Sequence, residues 1–291
     1  MSEDGFVVCH VESDEDVEQY LRVLREVFGP DESVDVLAKR LIDHHPEMML
    51  EDHFVIKHKN RIVACLNLIP EKWCIGEIPL KVAEMGCVGT LPEFRHRGLI
   101  RTLVNEFHKR VATHGYDLSV IEGIPYFYRQ FGYEYAIPLD EEITIRLDQI
   151  PDYELKHVIR PFTERDIPKA MQLLKQAQQK FYVHSVRDKQ IWKMQHETGM
   201  ASSPNKFEGY AVEEKGERAR PEYLGTLERP YNGERLQSQA HAMFLQAFYG
   251  VNVRLVNPDG NTEIEIQQYN TSSKVTARDL QEEIRKHKQK P

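Results

Sequence analysis

The run Gly89-Thr90-Leu91-Pro92-Glu93-Phe94-Arg95-His96-Arg97-Gly98-Leu99 constrains what this chain can fold into more than any other stretch. It follows Lys81-Val82-Ala83-Glu84-Met85-Gly86-Cys87-Val88, an apolar run that reads as a buried strand. It leads into a helical pattern that puts Leu99, Ile100, Leu103, Val104, Phe107 and Val111 on one face. A strand, a turn carrying Arg95, Arg97 and Gly98, and a helix start together make an anion site. The first helical N–H groups have no acceptor within the helix, the helix dipole adds partial positive charge, and Gly98 admits a ligand close to the backbone. The ligand such a loop fits is a pyrophosphate. Its expected contacts are the strand end Cys87, Val88 and Gly89 and the loop Arg95, His96, Arg97, Gly98, Leu99 and Ile100.

Spacing decides which phosphate ligand. No Gly-x-x-x-x-Gly-Lys-Ser/Thr run exists, so the nucleotide-hydrolase loop is excluded. Gly98 has no partner glycines at the spacings of the dinucleotide fingerprint. Arg95-x-x-Gly98-x-Ile100 instead resembles the Arg/Gln-x-x-Gly-x-Gly/Ala signature of the GNAT acetyltransferases, whose loop holds the pyrophosphate of coenzyme A. Ile100 departs from the small residue usual at that position.

The resemblance extends in both directions. Gly115 sits where a helix ends, Leu118-Ser119-Val120-Ile121 reads as the next strand, and Tyr128-x-x-Phe131-Gly132-Tyr133 is similar to the short helix and last strand of the same family. Upstream, Phe6 to Val11 is strand-like, and Asp16 to Phe28 and Val34 to Ile42 are helix-like. Phe54 to Lys57 and Arg61 to Leu68 form a hairpin around Lys59-Asn60. The implied fold is α/β (α+β): a mixed, mostly antiparallel sheet flanked by helices, followed by a second, degenerate GNAT-like unit. Within the family the chain resembles the Eis-like branch, which carries a similar Arg-Arg-Gly loop and Tyr-x-x-Phe-Gly-Tyr segment.

Domain expectations follow from the pattern. Residues 1–150 form the domain with the coenzyme A loop, closing on a strand at Glu142–Leu147, with a linker around Pro151. Residues 151–291 form a second GNAT-like domain without the motif. It starts with a strand at Val158 and a capped helix running to about Phe181, and has a hairpin at Phe207–Glu213 and Glu222–Leu227. Gln237 to Gln268 reads as a helix and one or two strands, and the charged tail from Ala277 as an exposed helix.

Composition bounds the function. The chain has 291 residues and a formal net charge of −8, which argues against general nucleic-acid binding and favours cationic partners such as amines. Cys9, Cys65, Cys74 and Cys87 have no Cys-x-x-Cys spacing, so neither a metal site nor a disulfide framework is expected and a reduced cytoplasmic setting fits. No apolar run approaches the ~20 residues that a membrane span needs, and the acidic N-terminus lacks a signal-peptide pattern. A homo-oligomer is left open.

What the resemblance implies is transfer of an acetyl group from acetyl-CoA, as acyl-donor co-substrate, to a primary amine, with a small-molecule acceptor favoured. Two other readings stay open: a non-catalytic acyl-CoA-binding sensor or scaffold, and an acetyltransferase acting on a protein N-terminus or lysine. Transfer needs a base for the amine proton, donors at the thioester oxygen and an acid for the leaving thiolate. The resemblance implies the Val88 N–H as oxyanion donor and Tyr128 as acid. Tyr128 otherwise packs on cofactor or core, with Tyr126 next in line as acid. Glu84, a charged residue in an apolar strand, is the candidate base, or else a salt-bridge or edge residue. Eis-like proteins offer another base, a chain-terminal carboxylate from an added third domain for which this chain is too short.

Overall fold

The computed structural model describes residues 5–124, 126–136, 142–146, 157–179, 181–201, 208–214, 223–227, 252–256 and 262–266. In chain order the elements are β1 (Phe6–His10), α1 (Asp14–Phe28), α2 (Val34–His44), β2 (His53–His58), β3 (Arg61–Ile75), β4 (Ile78–Thr90), α3 (Leu99–Thr113) and β5 (Leu118–Val120). They continue with β6 (Glu142–Arg146), β7 (His157–Pro161), α4 (Ile167–Gln178), β8 (Val183–Ser185), α5 (Lys189–Thr198), β9 (Glu208–Glu214), β10 (Tyr223–Leu227), β11 (Asn252–Val256) and β12 (Thr262–Ile266). The contacts divide them into two compact units.

In the first unit the strands run β1-β2-β3-β4-β5. The first four are antiparallel and β5 joins β4 in parallel. Lys59 and Asn60 take φ of +51° and +66°. This is the left-handed pair that a two-residue hairpin turn needs to match strand twist. Ser13 accepts from the Asp16 N–H at 3.2 Å and starts α1. Neighbouring residues of a strand point to opposite faces, and β2 shows which helix covers which face. The His53 ring meets Tyr20 of α1 at 5.2 Å between centroids, while Phe54 meets Phe107 of α3 at 6.2 Å. Helix α1 therefore lies on one face and α3 on the other, and Leu24, Leu41, Leu66, Leu68, Leu103 and Phe107 are fully buried between the layers.

Residues 185–201 also pack in this unit. Met194 of α5 and Ala201 join its core, and Nη1 of the buried Arg40 donates to the Met200 carbonyl at 2.8 Å. Gly199 is shaped to this contact, because a Cβ there would sit 2.7 Å from the Arg40 guanidinium carbon.

The second unit contains a sheet ordered β10-β9-β7 and another ordered β12-β11-β6. Thr163 and Asp166 cap one another's backbone ahead of α4, and Asp166 pairs with Arg160 at 2.7 Å. The hairpin expected around 207–227 forms as β9 and β10. The strand expected at the end of the first domain, β6, pairs in parallel with β11 instead. The helix expected within 237–268 and the tail from 277 lie outside the described residues.

Candidate active site

The predicted anion loop joins β4 to α3. After Thr90 the chain makes a 3-10 turn at Pro92–Phe94, then alternates: His96 has φ +62° and Gly98 has φ +74°. Alternating hands of this kind turn successive N–H groups toward one point, making a nest for an anion. The first helical bond of α3 is Thr102 N–H to the Gly98 carbonyl, at 3.1 Å. The N–H groups from His96 to Arg101 meet no acceptor among the described residues. Nothing stands within 4 Å of a Cβ built on Gly98, so space lies open over the loop.

Cations ring this nest. Arg95 donates to the Thr90 carbonyl at 3.3 Å, and the Arg97 guanidinium stacks over Phe94 at 5.6 Å. Arg101 lies over Phe131 at 5.1 Å and donates to Gln130 at 2.7 Å. The His96 side chain is exposed, Leu99 is buried, and Ile100 packs on the core. Ile100 thus contributes a backbone N–H to the loop and an apolar side chain to the interior.

Strand β4 leads into the loop. Its pairing with β5 covers Val82, Ala83 and Glu84 against Leu118, Ser119 and Val120. Beyond Glu84 it runs on to Thr90, and no pairing with β5 accompanies it. A bulge opens in the same stretch: the β3 register shifts between Cys65 and Asn67, and Cys87 takes φ +50°. The Cys87 side chain turns inward. Burial pushes its thiol up to about 12, and its carbonyl accepts a weak 3.6 Å bond from Cys65. The buried thiol holds its proton more tightly than a free cysteine does.

Glu84 is half-buried, and burial raises its carboxyl well above the ordinary range, with Glu71 and Glu122 adding repulsion. Register accounts for the grouping. Ile69 of β3 and Val120 of β5 flank Glu84 directly, so Glu71 and Glu122, each two residues further along, share its face. Glu71 and Glu122 escaped the sequence reading because only strand register reveals this diagonal relation.

Tyr128 opens a 3-10 turn ending at Phe131, and Gly132 (φ +91°) closes it. No strand follows among residues 133–136. The Tyr128 ring packs within 6.4 Å of Phe131 and 6.3 Å of Tyr133, and burial pushes its hydroxyl up to about 12. Gly123 makes the room, since a Cβ there would lie 2.3 Å from the ring. Tyr133 hydrogen-bonds Ser119 of β5 at 2.6 Å, tying this aromatic turn to the sheet. Tyr126 is exposed, with φ +67°, and its N–H donates to the Tyr135 hydroxyl.

A bulged strand that loses its parallel neighbour and ends in an anion nest makes up the candidate site. Two solved structures are similar to this chain in fold: a GCN5-related N-acetyltransferase from Anabaena variabilis (20% identity, TM-score 0.53, 77% of this chain and 55% of that one), and a Saccharomyces cerevisiae N-myristoyltransferase with bound myristoyl-CoA (13% identity, TM-score 0.55, 80% and 63%). Residues 10–136 match the family model described as an acetyltransferase (GNAT) domain. N-acetyltransferase Eis of Mycobacterium tuberculosis is 37% identical over 70 residues, 23% of this chain and 17% of that protein. The match therefore spans less than a fifth of that relative's length. Among the described residues no helix is long and apolar enough to cross a membrane, and no group of side chains could hold a metal ion.

Proposed function

We propose that the chain transfers an acetyl group from acetyl-CoA to a primary amine of a small molecule, by direct attack while both are bound. The observation that carries this reading is the unsatisfied row of N–H groups from His96 to Arg101, set at the end of a strand whose edge β5 has released. A pyrophosphate fits that row: the backbone donors converge, Arg95 and Arg97 supply charge, and open space lies above Gly98. Coenzyme A, when bound, supplies the activated acyl group and a thiolate leaving group.

The chain's own residues divide the remaining work. The Val88 N–H, at the bulge, donates to the thioester oxygen as charge develops there. Glu84 takes the proton from the attacking nitrogen. Burial, with Glu71 and Glu122 beside it, raises its affinity for that proton. As the nitrogen–carbon bond forms and the carbon–sulfur bond breaks, Tyr128 gives its proton to the sulfur. Its hydroxyl stays protonated until about pH 12, so the acid is in place throughout the working range. Glu71 and Glu122 put negative charge beside Glu84, which favours a cationic acceptor.

Thermal-shift titration with acetyl-CoA tests the reading. Ligand at about 100 times its Kd adds roughly 2.7 kcal/mol of native stability, and thiol release should then depend on added amine. A saturating shift without amine-dependent thiol release would leave a binding protein in place of an enzyme. No shift at millimolar acetyl-CoA would remove both.

A further inference from the structure

Behind the bulge of β4 the interior changes character. Tyr20 of α1, His53 of β2 and Asn67 of β3 are each wholly buried, yet the Tyr20 hydroxyl, both His53 ring nitrogens and both Asn67 amide atoms lack a hydrogen-bond partner. Their neighbours in the same core are apolar, among them Leu24, Leu66 and Met85.

Register brings the three together at one place. His53 pairs across the ladder with Asn67, and Asn67 with Gly86, the residue before Cys87. A Cβ on Gly86 would lie 2.7 Å from the Asn67 side-chain oxygen, so that glycine makes room for the amide. The Tyr20 ring stands 5.2 Å from His53, and its hydroxyl faces the Asn67 amide and the Cys87 thiol.

A buried polar atom without a partner costs stability, and apolar residues of similar shape would pack here at no such cost. Three of them converging on one irregularity of one strand indicate a use other than stability. We propose that Tyr20, His53 and Asn67 are positioning residues that hold the β4 bulge at Gly86–Val88, and through it the orientation of the Val88 N–H. The inference about catalysis rests on the function proposed above; the inference about the bulge does not.

The test uses the full chain with Tyr20→Phe, which removes only the hydroxyl, and Asn67→Leu, which replaces the amide with an apolar group of similar size. The primary readout is amide hydrogen exchange of the peptide spanning residues 85–89. Both variants should melt at or above the wild-type temperature while exchange in that peptide accelerates tenfold or more. With acetyl-CoA and an amine acceptor, kcat should fall at least tenfold with KM for acetyl-CoA within twofold. Unchanged exchange at 85–89 in Tyr20→Phe overturns the proposal, whether or not the protein proves to be an enzyme. Faster exchange spread over the whole sheet together with a lower melting temperature overturns it too, since that is the signature of ordinary core packing. Faster local exchange without thiol release in the wild type would uphold the bulge lock and sink the catalytic reading alone. Should Asn67→Leu fail to fold, Tyr20→Phe decides the outcome.

Discussion

The Glu84 carboxyl of β4 shares one face of the sheet with the Glu71 carboxyl of β3, which stands two residues off the directly paired position Ile69. Burial raises the Glu84 carboxyl well above the ordinary range, and repulsion from Glu71 and Glu122 adds to it. Glu84 therefore binds a proton more readily than a solvated carboxylate would.

Glu84→Gln separates chemistry from stability. The folded state holds its Glu84 proton to higher pH than the unfolded chain does, so wild-type stability is full below the ordinary carboxylate range and declines as pH rises through the raised value. A glutamine stays neutral. Urea unfolding should find the variant more stable than wild type at pH 8, with the two converging near pH 4. Turnover should fall on the order of 10²-fold or more. A variant less stable than wild type at pH 8 contradicts the raised carboxyl.

Tyr128→Phe should keep acetyl-CoA affinity and lower kcat on the order of 10²-fold. Gly123→Ala reaches the same side chain indirectly, because its methyl would occupy the space of the Tyr128 ring. Steady-state kinetics and a binding isotherm on both variants check this. Unchanged kcat in Tyr128→Phe removes the tyrosine from the acid role.

Gly98→Asp places a carboxylate in the nest and a Cβ at φ +74°. No neighbour lies within 4 Å to clash, so the fold should survive with a loss of ~1–2 kcal/mol from the left-handed backbone. Affinity for acetyl-CoA should drop at least about tenfold by charge repulsion. Calorimetry reads this directly, and retained affinity would place the pyrophosphate elsewhere.

Acid should destabilise the first unit well before its carboxylates protonate. Burial lowers both His45 and His53 to about 4, and the His45 ring accepts from the Met48 N–H at 3.2 Å through Nδ1. The unfolded chain binds these protons near pH 6.5 and the folded one near 4, so stability is full above pH 6.5 and is lost as pH falls toward 4. The slope is up to about 1.4 kcal/mol per pH unit for each group. Denaturant midpoints at pH 7, 6 and 5 check it, and a flat profile would contradict the burial of these rings. Replacing His53 with Phe should flatten the profile in part.

The parts legible in the sequence are those that neighbouring residues dictate. Arg95, Arg97 and Gly98 forecast the nest because a left-handed glycine and the orphan donors of a helix start are local properties. Lys59-Asn60 forecast a turn for the same reason. What escaped depends on distant pairing. Strand β6 finds its partner at Asn252–Val256, and no pattern within Glu142–Arg146 distinguishes that partner from β5. Glu71 and Glu122 join Glu84 only once the β3–β4–β5 register is fixed, and Tyr20, His53 and Asn67 read singly as ordinary polar residues in apolar company. The readings of 237–268 beyond β11 and β12, and of the tail, meet no described residue that could decide them.

The Arg40–Met200 bond has a consequence for how the protein comes into being. Its acceptor follows its donor by 160 residues, an interval of roughly ten to thirty seconds on a ribosome adding about 5–20 residues per second. Helix α2 and the sheet beneath it leave the ribosome long before Met194 and Ala201 arrive to complete their packing. The first unit is therefore among the first segments synthesised and among the last to close, and a stop introduced anywhere between Ala136 and Met200 should yield a chain that chaperones retain.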